Sequence, residues 1–263
     1  MTDRNFDGIA ERFRKNIYGN PKGELRLALC WRELLAKVPA LNESVLPSGQ
    51  AMSVWDAGGG LGQMSIRLAE CGHQVLLNDV SADMLAIAEA DIAAAGVADR
   101  VVLHHAAIQD LATAEHREAF DLVLCHAVLE WVKEPEDIIA ALVAGMRPGA
   151  YLSLMFYNLN ALIISNMAKG NLYKLRDRDF AGHPGGLTPP APRQPQEMMA
   201  ILEAAGLEIV AKRGIRLVYD LMPRAVRAER SVPDVLALEW QYGAEEPFWA
   251  LGRYVHLLCR RPI

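Results

Sequence analysis

The chain has 263 residues, of which 52% are hydrophobic and 22% are charged, and its formal net charge is −5 at pH 7. This composition excludes a disordered chain and predicts a single folded domain over residues 1–263. No apolar run reaches the roughly 20 residues that a membrane span needs, and residues 1–15 are too polar for a signal peptide. We therefore expect a cytoplasmic protein without a membrane partner.

The four cysteines, Cys30, Cys71, Cys125 and Cys259, are far apart in the sequence. Their spacing matches no common metal-binding motif, and cytosolic thiols are normally kept reduced. We expect packed, free cysteines and no bound metal.

Charge is distributed unevenly along the chain. Residues 41–164 carry sixteen acidic and five basic side chains, residues 1–40 carry five and eight, and residues 165–263 carry eleven and fourteen. The two mildly basic ends fit either ordinary solvated helices or a surface for an anionic substrate, and the sequence leaves both interpretations open.

The N-terminal region has helical spacing of apolar residues over 4–39, which we interpret as helices of a lid spanning residues 1–45. Residues 52–57 then form a predicted buried strand that ends at a glycine turn. Helical spacing resumes at 63–71, so this segment predicts a strand, a glycine turn and a helix in succession.

The same pattern recurs immediately. Residues 74–77 form a second predicted strand that ends at Asp79, and Ser81 is a plausible N-cap of the helix that follows. Further strands are predicted at 101–105, 120–126 and 150–157, and a further helix at 135–146. Alternating short strands and helices predict an α/β fold, a Rossmann-like doubly wound and mostly parallel sheet of seven strands.

The pattern weakens after residue 158. Residues 171–195 are rich in glycine, proline, arginine and aspartate and predict an irregular insertion or lid. A helix at 196–205 and strands within 207–218 and 253–259 complete the prediction, and two antiparallel strands could finish the sheet. The predicted boundaries are 46–158 for the cofactor-binding core, 159–200 for the insertion and 201–263 for C-terminal strands and a helix.

The turn after the first strand predicts the class of ligand. Gly58 and Gly60 allow the backbone to approach a bound molecule closely, and the next strand ends in Asp79, 21 residues after Gly58. A carboxylate at that position can accept two hydrogen bonds from a ribose diol. The turn therefore favours a nucleoside ligand, with a glycine turn needed only for tight packing as the alternative.

The spacing of the glycines separates two kinds of nucleoside ligand. Dinucleotide-binding enzymes use G-x-G-x-x-G, but the sixth position counted from Gly58 is Gln63, whereas Gly58, Gly60 and Gly62 satisfy G-x-G-x-G. Asp56, two residues ahead, suits the ammonium group of a methionine and not a pyrophosphate. The sequence thus predicts S-adenosylmethionine as the cofactor.

Residues 54–60 (VWDAGGG), Asp79 and residues 146–149 (MRPG) resemble the motifs of class I S-adenosylmethionine-dependent methyltransferases. Those motifs identify a cofactor and not an acceptor. Further segments, spread over nearly the whole chain, resemble the bacterial tRNA 5-carboxymethoxyuridine methyltransferases: 4–7 (RNFD), 16–19 (NIYG), 22–23 (KG), 126–131 (HAVLEW), 154–158 (LMFYN) and 251–254 (LGRY).

The resemblance implies methylation of the carboxylate of 5-carboxymethoxyuridine at the tRNA wobble position, which gives a methyl ester. A carboxylic acid has a pKa of about 4, so the nucleophile is already ionised near pH 7 and needs no general base. We accordingly expect no catalytic acid, base or covalent nucleophile. Catalysis would come from placing the carboxylate in line with the methyl–sulfur bond.

The resemblance also implies cofactor contacts, at Arg26, Gly58, Gly59, Asp79, Ile108, Gln109 and His126. Arg26 would hold the methionine carboxylate, with a plain surface charge as the alternative; His126 could equally be a satisfied histidine at a strand end. Predicted substrate residues, whose segments should converge above the cofactor, are Tyr18, Trp131, Tyr157, Asn158 and Arg253. Arg253 is the first candidate for holding the substrate carboxylate, whereas Trp131 and Tyr157 fit the hydrophobic core equally well.

The sequence departs from the family pattern at Leu61, where an acid is expected, and in residues 175–193. Relatives often have a lysine run in that second segment, whereas this chain offers Arg176, Arg178, His183 and Arg193. Other candidate phosphate contacts are Arg12, Arg14, Lys15, Lys169, Lys174, Arg224, Arg227 and Arg230. Two alternatives to the tRNA methyltransferase stay open: a methyltransferase of a small acid or quinone, and a non-catalytic S-adenosylmethionine-binding protein.

Overall fold

The computed structural model describes residues 7–15, 20–44, 51–180 and 188–263. At its centre lies one seven-stranded sheet with the strand order β3-β2-β1-β4-β5-β7-β6. The strands are β1 (Ser53–Ala57), β2 (Gln74–Asp79), β3 (Val101–His105), β4 (Phe120–His126), β5 (Met146–Tyr157), β6 (Glu208–Ile215) and β7 (Tyr254–Arg260).

Helices cover both faces of this sheet. The described helices are α1 (Ala10–Phe13), α2 (Pro21–Lys37), α3 (Pro39–Ser44), α4 (Gln63–Glu70), α5 (Ala82–Ala94), α6 (Pro135–Gly145), α7 (Leu159–Ala168), α8 (Leu172–Asp177), α9 (Pro195–Ala204), α10 (Leu217–Leu221), α11 (Arg224–Ala228) and α12 (Val232–Tyr242). In the part of the chain that the structure describes, no helix combines the length and apolarity needed to cross a membrane.

Alternating side chains of β1 divide the core into two layers. Val54 packs with Leu34 of α2 and with residues of α4 and α5, whereas Trp55 packs on the other face with residues of α6 and α9. Because successive side chains of a strand point to opposite faces, a strand buried on both sides must be apolar nearly throughout. This requirement explains the continuous apolar runs from which the strands were predicted.

The predicted fold class is confirmed, and the predicted strands at 101–105 and 120–126 match β3 and β4 residue for residue. The expectation that two antiparallel strands finish the sheet is confirmed, since β6 and β7 pair antiparallel with each other at its edge. β7 pairs antiparallel with both of its neighbours, β5 and β6, so β7 alone reverses direction. Periodicity cannot show strand direction, which depends on the connections between strands.

The N-terminal helix α2 is fixed to the C-terminal part of the chain. Asn20 caps α2 by accepting a hydrogen bond from the Lys22 amide, and Pro21 occupies the first turn. Further along, Glu33 forms a buried ion pair with Arg213 of β6, and the Arg213 guanidinium lies 3.8 Å from the centre of the Trp240 ring. This contact ties α2 to β6 and α12.

The segment predicted as an irregular insertion contains helix α8 (Leu172–Asp177), so that prediction is corrected for those residues. Residues 181–187, which include His183, lie outside the described part. Arg193, a candidate phosphate contact, instead donates hydrogen bonds to the carbonyls of Leu129 and Val132, at 2.5 and 2.6 Å from Nη2. Helices α10, α11 and α12 lie within residues 217–242. For this segment the sequence predicted only the end of a strand and a C-terminal helix without assigned bounds.

Candidate active site

A pocket opens where β1 and β4 end, at the point where the chain turns to opposite sides of the sheet. Open α/β sheets bind ligands at such a point because the loops diverge there and leave a crevice. All nine predicted cofactor residues line this pocket: Arg26, Asp56, Gly58, Gly59, Gly60, Asp79, Ile108, Gln109 and His126. The structure therefore brings together residues that are more than 90 positions apart in the sequence.

The glycine turn leaves no room for a side chain at Gly58 or Gly59. Gly58 has a φ of +68°, and a Cβ there would lie 2.6 Å from Cγ2 of Val128. A Cβ on Gly59 would lie 2.7 Å from Cγ of Asp56 and 2.9 Å from Cγ of Leu77. The packing alternative for this turn is thus partly correct, because the same glycines that line the pocket also fit against the sheet.

Asp79 organises the opposite wall of the pocket. Its two carboxylate oxygens accept the amides of Gly60, at 3.0 Å, and Ser81, at 2.9 Å. A carboxylate has about four lone-pair positions, so two remain for hydroxyl groups of a ligand. Burial raises the pKa of Asp79 even though these amides act to lower it.

Helix α4, which follows the glycine turn, fixes the position of the Asp56 side chain. Asp56 is 4% exposed, and its Oδ2 accepts a hydrogen bond of 2.6 Å from the hydroxyl of Ser65 in α4. Burial raises the pKa of Asp56 to about 6, with the Ser65 hydrogen bond opposing that rise and the charge of Asp79 adding to it. The second oxygen of Asp56 is the one that can face a cationic group in the pocket.

Arg26 and His126 line the pocket from the side of α2 and β4. Arg26 is 6% exposed, so the alternative of a plain surface charge is wrong; its guanidinium lies 5.9 Å from the centre of the Tyr254 ring. Nε2 of His126 lies 2.8 Å from the hydroxyl of Ser153. Burial keeps the pKa of His126 well below 6.5, with the positive charge of Arg26 contributing, so this imidazole is neutral at pH 7.

Glu130 is a pocket residue that sequence reasoning did not single out. It is fully buried, in a short 3-10 helix after β4, and lines the pocket beside His126. Burial raises its pKa to about 7, while neighbouring backbone amides and the charges of Arg26 and Arg193 act to lower it. The only available signal was its place within the HAVLEW segment.

The ionisation of Glu130 predicts a dependence of stability on pH. The folded pKa of about 7 exceeds the ordinary value of 4.5, so the folded protein binds more protons between these values. The contribution of Glu130 to the free energy of unfolding is therefore complete below pH 4.5 and is lost as the pH rises through 7. This loss is at most about 1.4 kcal/mol per pH unit. Replacing Glu130 with glutamine should remove this slope.

Chemical denaturation between pH 5 and pH 8 measures the effect. The difference in the free energy of unfolding between Glu130→Gln and the wild type should shift in favour of the variant as the pH rises. Glu134→Gln is the matched control, because the side chain of Glu134 is 59% exposed. Parallel curves for Glu130→Gln and the wild type would show that this carboxyl does not titrate in the range.

The predicted substrate residues fall into different environments. Trp131 is 7% exposed and lines the pocket, whereas Tyr157, which is 3% exposed, stacks edge to face with Tyr254 at 5.5 Å. The guanidinium of Arg253 lies 5.1 Å from the centre of the Tyr157 ring. Tyr18 lies outside the described residues.

Asn158 has a structural role. Its Nδ2 donates to the carbonyls of Ala250 and Gly252, each at 2.8 Å, and its Oδ1 accepts the amide of Asn160 at 3.0 Å. These bonds cap α7 and hold the chain that precedes β7. The nitrogen and the oxygen of the Asn158 side-chain amide both take part in these bonds, and Asn158 is not among the residues that line the pocket. Its contact with the substrate stays a prediction.

Three potential metal ligands lie together at the pocket, and two of them, Cys30 and His126, line it. Cys30, His126 and His256 offer atoms within 4.8 Å of one another, and the Ser153 hydroxyl lies 2.8 Å from Nε2 of both histidines. Burial raises the pKa of Cys30 to about 12 and lowers that of His256 to about 3. A neutral thiol and neutral imidazoles hydrogen-bond without a metal, and the expectation that no metal binds stays a prediction. All four cysteines are free.

The comparison with known proteins agrees with this geometry. Residues 55–154, which contain the glycine turn, Asp79 and Glu130, match the model of the methyltransferase domain. The tRNA 5-carboxymethoxyuridine methyltransferase of Escherichia coli K12 is 42% identical over 267 residues, covering 100% of this chain and 98% of the relative. The chain belongs to that family. It is an S-adenosylmethionine-dependent methyltransferase of class I.

Two other similarities are limited to the shared methyltransferase core or to the fold. The ubiquinone biosynthesis O-methyltransferase of Aromatoleum aromaticum is 29% identical over 164 residues, or 62% of this chain and 66% of the relative. Magnesium protoporphyrin IX methyltransferase from Synechocystis PCC 6803 with bound SAH superimposes with a TM-score of 0.61 at 17% identity, covering 97% and 95% of the two chains. The family membership shown by the Escherichia coli relative overturns the alternative of a non-catalytic binding protein.

The pocket residues fit S-adenosylmethionine. Asp79 retains acceptor positions for a ribose diol, Gly58 and Gly59 keep the floor of the pocket free of side chains, and the buried cation of Arg26 can face a carboxylate. When bound, this cofactor supplies an electrophilic methyl group on a sulfonium. The protein's own residues hold and orient the ligand.

Proposed function

We propose that this methyltransferase esterifies the carboxylate of 5-carboxymethoxyuridine at the wobble position of tRNA and so forms the methyl ester. One observation carries the proposal: identity of 42% to the Escherichia coli relative extends over the whole chain and well beyond residues 55–154 of the common domain. Most pocket residues belong to the common domain, so segments outside that domain would select the acceptor. The reaction would take place in the cytoplasm.

The chemistry proposed here needs little from the protein beyond placement. A carboxylate oxygen forms a bond to the methyl carbon while the carbon–sulfur bond breaks, with its electron pair remaining on sulfur. The acceptor is ionised near pH 7, since an ordinary carboxylic acid has a pKa of about 4. His126, whose low pKa keeps it neutral, is not required as a base and serves as part of the pocket wall.

In this proposal each pocket residue has a binding role. Asp79 accepts the ribose hydroxyls and Arg26 holds the methionine carboxylate, while Asp56 faces the methionine ammonium group. Ile108 and Gln109, which follow β3, contact the adenine. The buried ring of Trp131 borders the acceptor base. These assignments are supported by the position of every one of these residues in the pocket.

A paired assay with labelled methyl donor tests the acceptor. We expect transfer to a tRNA that carries 5-carboxymethoxyuridine and none to the same tRNA without the modification. The product label should be released by mild alkali, because esters hydrolyse and methylated bases or sugars do not. Equal transfer to the two tRNAs would contradict the proposal.

The similarity to ubiquinone O-methyltransferases supports a second candidate, methylation of a small acid or quinone. That function predicts activity in the absence of RNA and insensitivity to added salt. The tRNA reaction, in contrast, should weaken as salt rises, because phosphate contacts release counter-ions. The same assay repeated after ribonuclease treatment therefore separates the two functions.

A further inference from the structure

A group of cationic side chains lies beside the methyl-donor pocket. Lys22 is in the first turn of α2, Arg216 joins β6 to α10, Arg227 is in α11, and Arg253 immediately precedes β7. Desolvation lowers the pKa of Lys22, and the positive charges of Arg216, Arg227 and Arg253 lower it further, while Asp220 opposes them. The geometry agrees: Arg216 and Arg227 both bond to Asp220, and Arg216 and Arg253 lie against Tyr254 and Tyr157, whose ring centres are 5.5 Å apart.

Negative charge within this group is scarce. Asp220 is bonded to both Arg216, at 2.6 Å, and Arg227, at 3.3 Å. Glu239 accepts the amides of Leu217 and Tyr219, each at 2.8 Å, and burial raises its pKa to about 7. Among the described residues, neither Lys22 nor Arg253 forms a salt bridge. Since like charges repel, this excess of positive charge favours binding of an anion.

Arg216 is the most constrained member of the group. Its backbone adopts a φ of +61°, which is unfavourable for a residue with a side chain, and its side chain is 11% exposed. Its Nε is buried and, among the described atoms, has no hydrogen-bond partner. An unbonded buried donor on a cation costs free energy, which an acceptor from a ligand would recover.

Two aromatic rings connect this group to the pocket. The guanidinium of Arg253 lies 5.1 Å from the centre of the Tyr157 ring, and that of Arg216 lies 5.8 Å from the Tyr254 ring. Tyr254 also lines the methyl-donor pocket, and the guanidinium of Arg26 lies 5.9 Å from the centre of its ring. One ring therefore separates the cationic group from the site of the cofactor.

We propose that Arg216, Arg253 and Lys22, together with the rings of Tyr157 and Tyr254, form a subsite that binds an oxyanion of the acceptor nucleotide. The inference rests on the proposed tRNA function and adds the residues that would select the acceptor. Guanidinium groups suit both oxyanions that such a nucleotide carries, the carboxylate on its base and the phosphates beside it. Of the two rings, that of Tyr254 lines the pocket, where a base can contact it next to its anion.

Binding and transfer measured on glutamine variants test the subsite. Arg216→Gln and Arg253→Gln are compared with Lys37→Gln and Arg117→Gln, which each remove one positive charge at an exposed position outside this group. We expect kcat/KM for the modified tRNA to fall about tenfold or more in the first pair, as expected for loss of a charge-assisted hydrogen bond. Affinity for S-adenosylhomocysteine should stay within about twofold of the wild type in all four.

The source of the oxyanion follows from dissociation constants measured with S-adenosylhomocysteine present. Weaker binding of tRNA with 5-carboxymethoxyuridine but not of tRNA with 5-hydroxyuridine would assign the carboxylate, and equal weakening of both would assign a phosphate. If the wild type transfers methyl groups and the first pair of variants behaves like the second, the subsite is overturned. If the wild type itself does not methylate the modified tRNA, the proposed function fails, and the subsite with it.

Discussion

Replacing Asp79 with alanine is expected to weaken binding of S-adenosylmethionine by about 1–3 kcal/mol, or roughly 5- to 150-fold in the dissociation constant. Two effects contribute. The variant lacks the acceptors proposed for the ribose diol, and it also lacks the partner of the Gly60 and Ser81 amides that shape the pocket. Calorimetry with S-adenosylhomocysteine, which is chemically inert, measures the change directly.

Two further variants show whether the effect is specific to Asp79. Asp79→Asn retains one acceptor oxygen and should fall between the wild type and Asp79→Ala. Asp99→Ala removes a carboxylate whose side chain is 70% exposed, and it should leave the affinity unchanged. An unaltered dissociation constant in Asp79→Ala would be incompatible with a ribose contact at this position.

Replacing Glu33 with alanine is expected to lower the free energy of unfolding by about 3–5 kcal/mol. Glu33 is 2% exposed and its carboxylate accepts a hydrogen bond from Nε of Arg213, which is 4% exposed. Removing one member leaves the other charge buried without its partner. Nη1 of Arg213 also donates to the Trp240 carbonyl, at 2.8 Å, so the disturbance should reach α12. Urea denaturation at pH 7 provides the measurement.

A double variant separates the cost of an unpaired charge from the loss of the ion pair itself. Glu33→Leu combined with Arg213→Met replaces both charges with apolar groups and should recover much of the stability, because the desolvation penalty disappears with them. Glu24→Ala, at an exposed position of the same helix, should change stability by less than about 1 kcal/mol. A loss in the double variant as large as in Glu33→Ala would mean that packing, and not charge, dominates here.

Much of the fold could be predicted because burial imposes its pattern directly on the sequence. Strand β4 lies inside the sheet and was predicted residue for residue, since it is apolar on nearly all of both faces and ends at His126. Strand β3, at the edge of the sheet, was predicted equally well from a short apolar run that ends at two histidines. The direction of β7 could not be predicted in the same way. Its apolar run has the same appearance in either direction, and pairing with β5 and β6 decides the direction.

The residues of the candidate site likewise divide into those that the sequence identified and those that it did not. Asp56, Asp79 and the glycines between them were found because they act through local geometry, at the ends of adjacent strands. Arg26 could not be distinguished from a surface charge, because its burial depends on how α2 is tied to Arg213 and Trp240. Glu130 and Arg216 were missed as functional candidates because their burial and charge environments arise from segments far away in the chain.

By itself the sequence determined the fold class and the cofactor, since both depend on short-range features: the period of apolar residues, the G-x-G-x-G spacing and an acid at the end of the second strand. Family resemblance supplied the acceptor hypothesis. Only the tertiary structure decided which polar residues are structural and which face the pocket. Asn158 and Arg193 hold loops in place. Arg216 and Arg253, by contrast, lie against the contacting rings of Tyr254 and Tyr157 beside the pocket, because pairing of β6 with β7 brings these distant segments together.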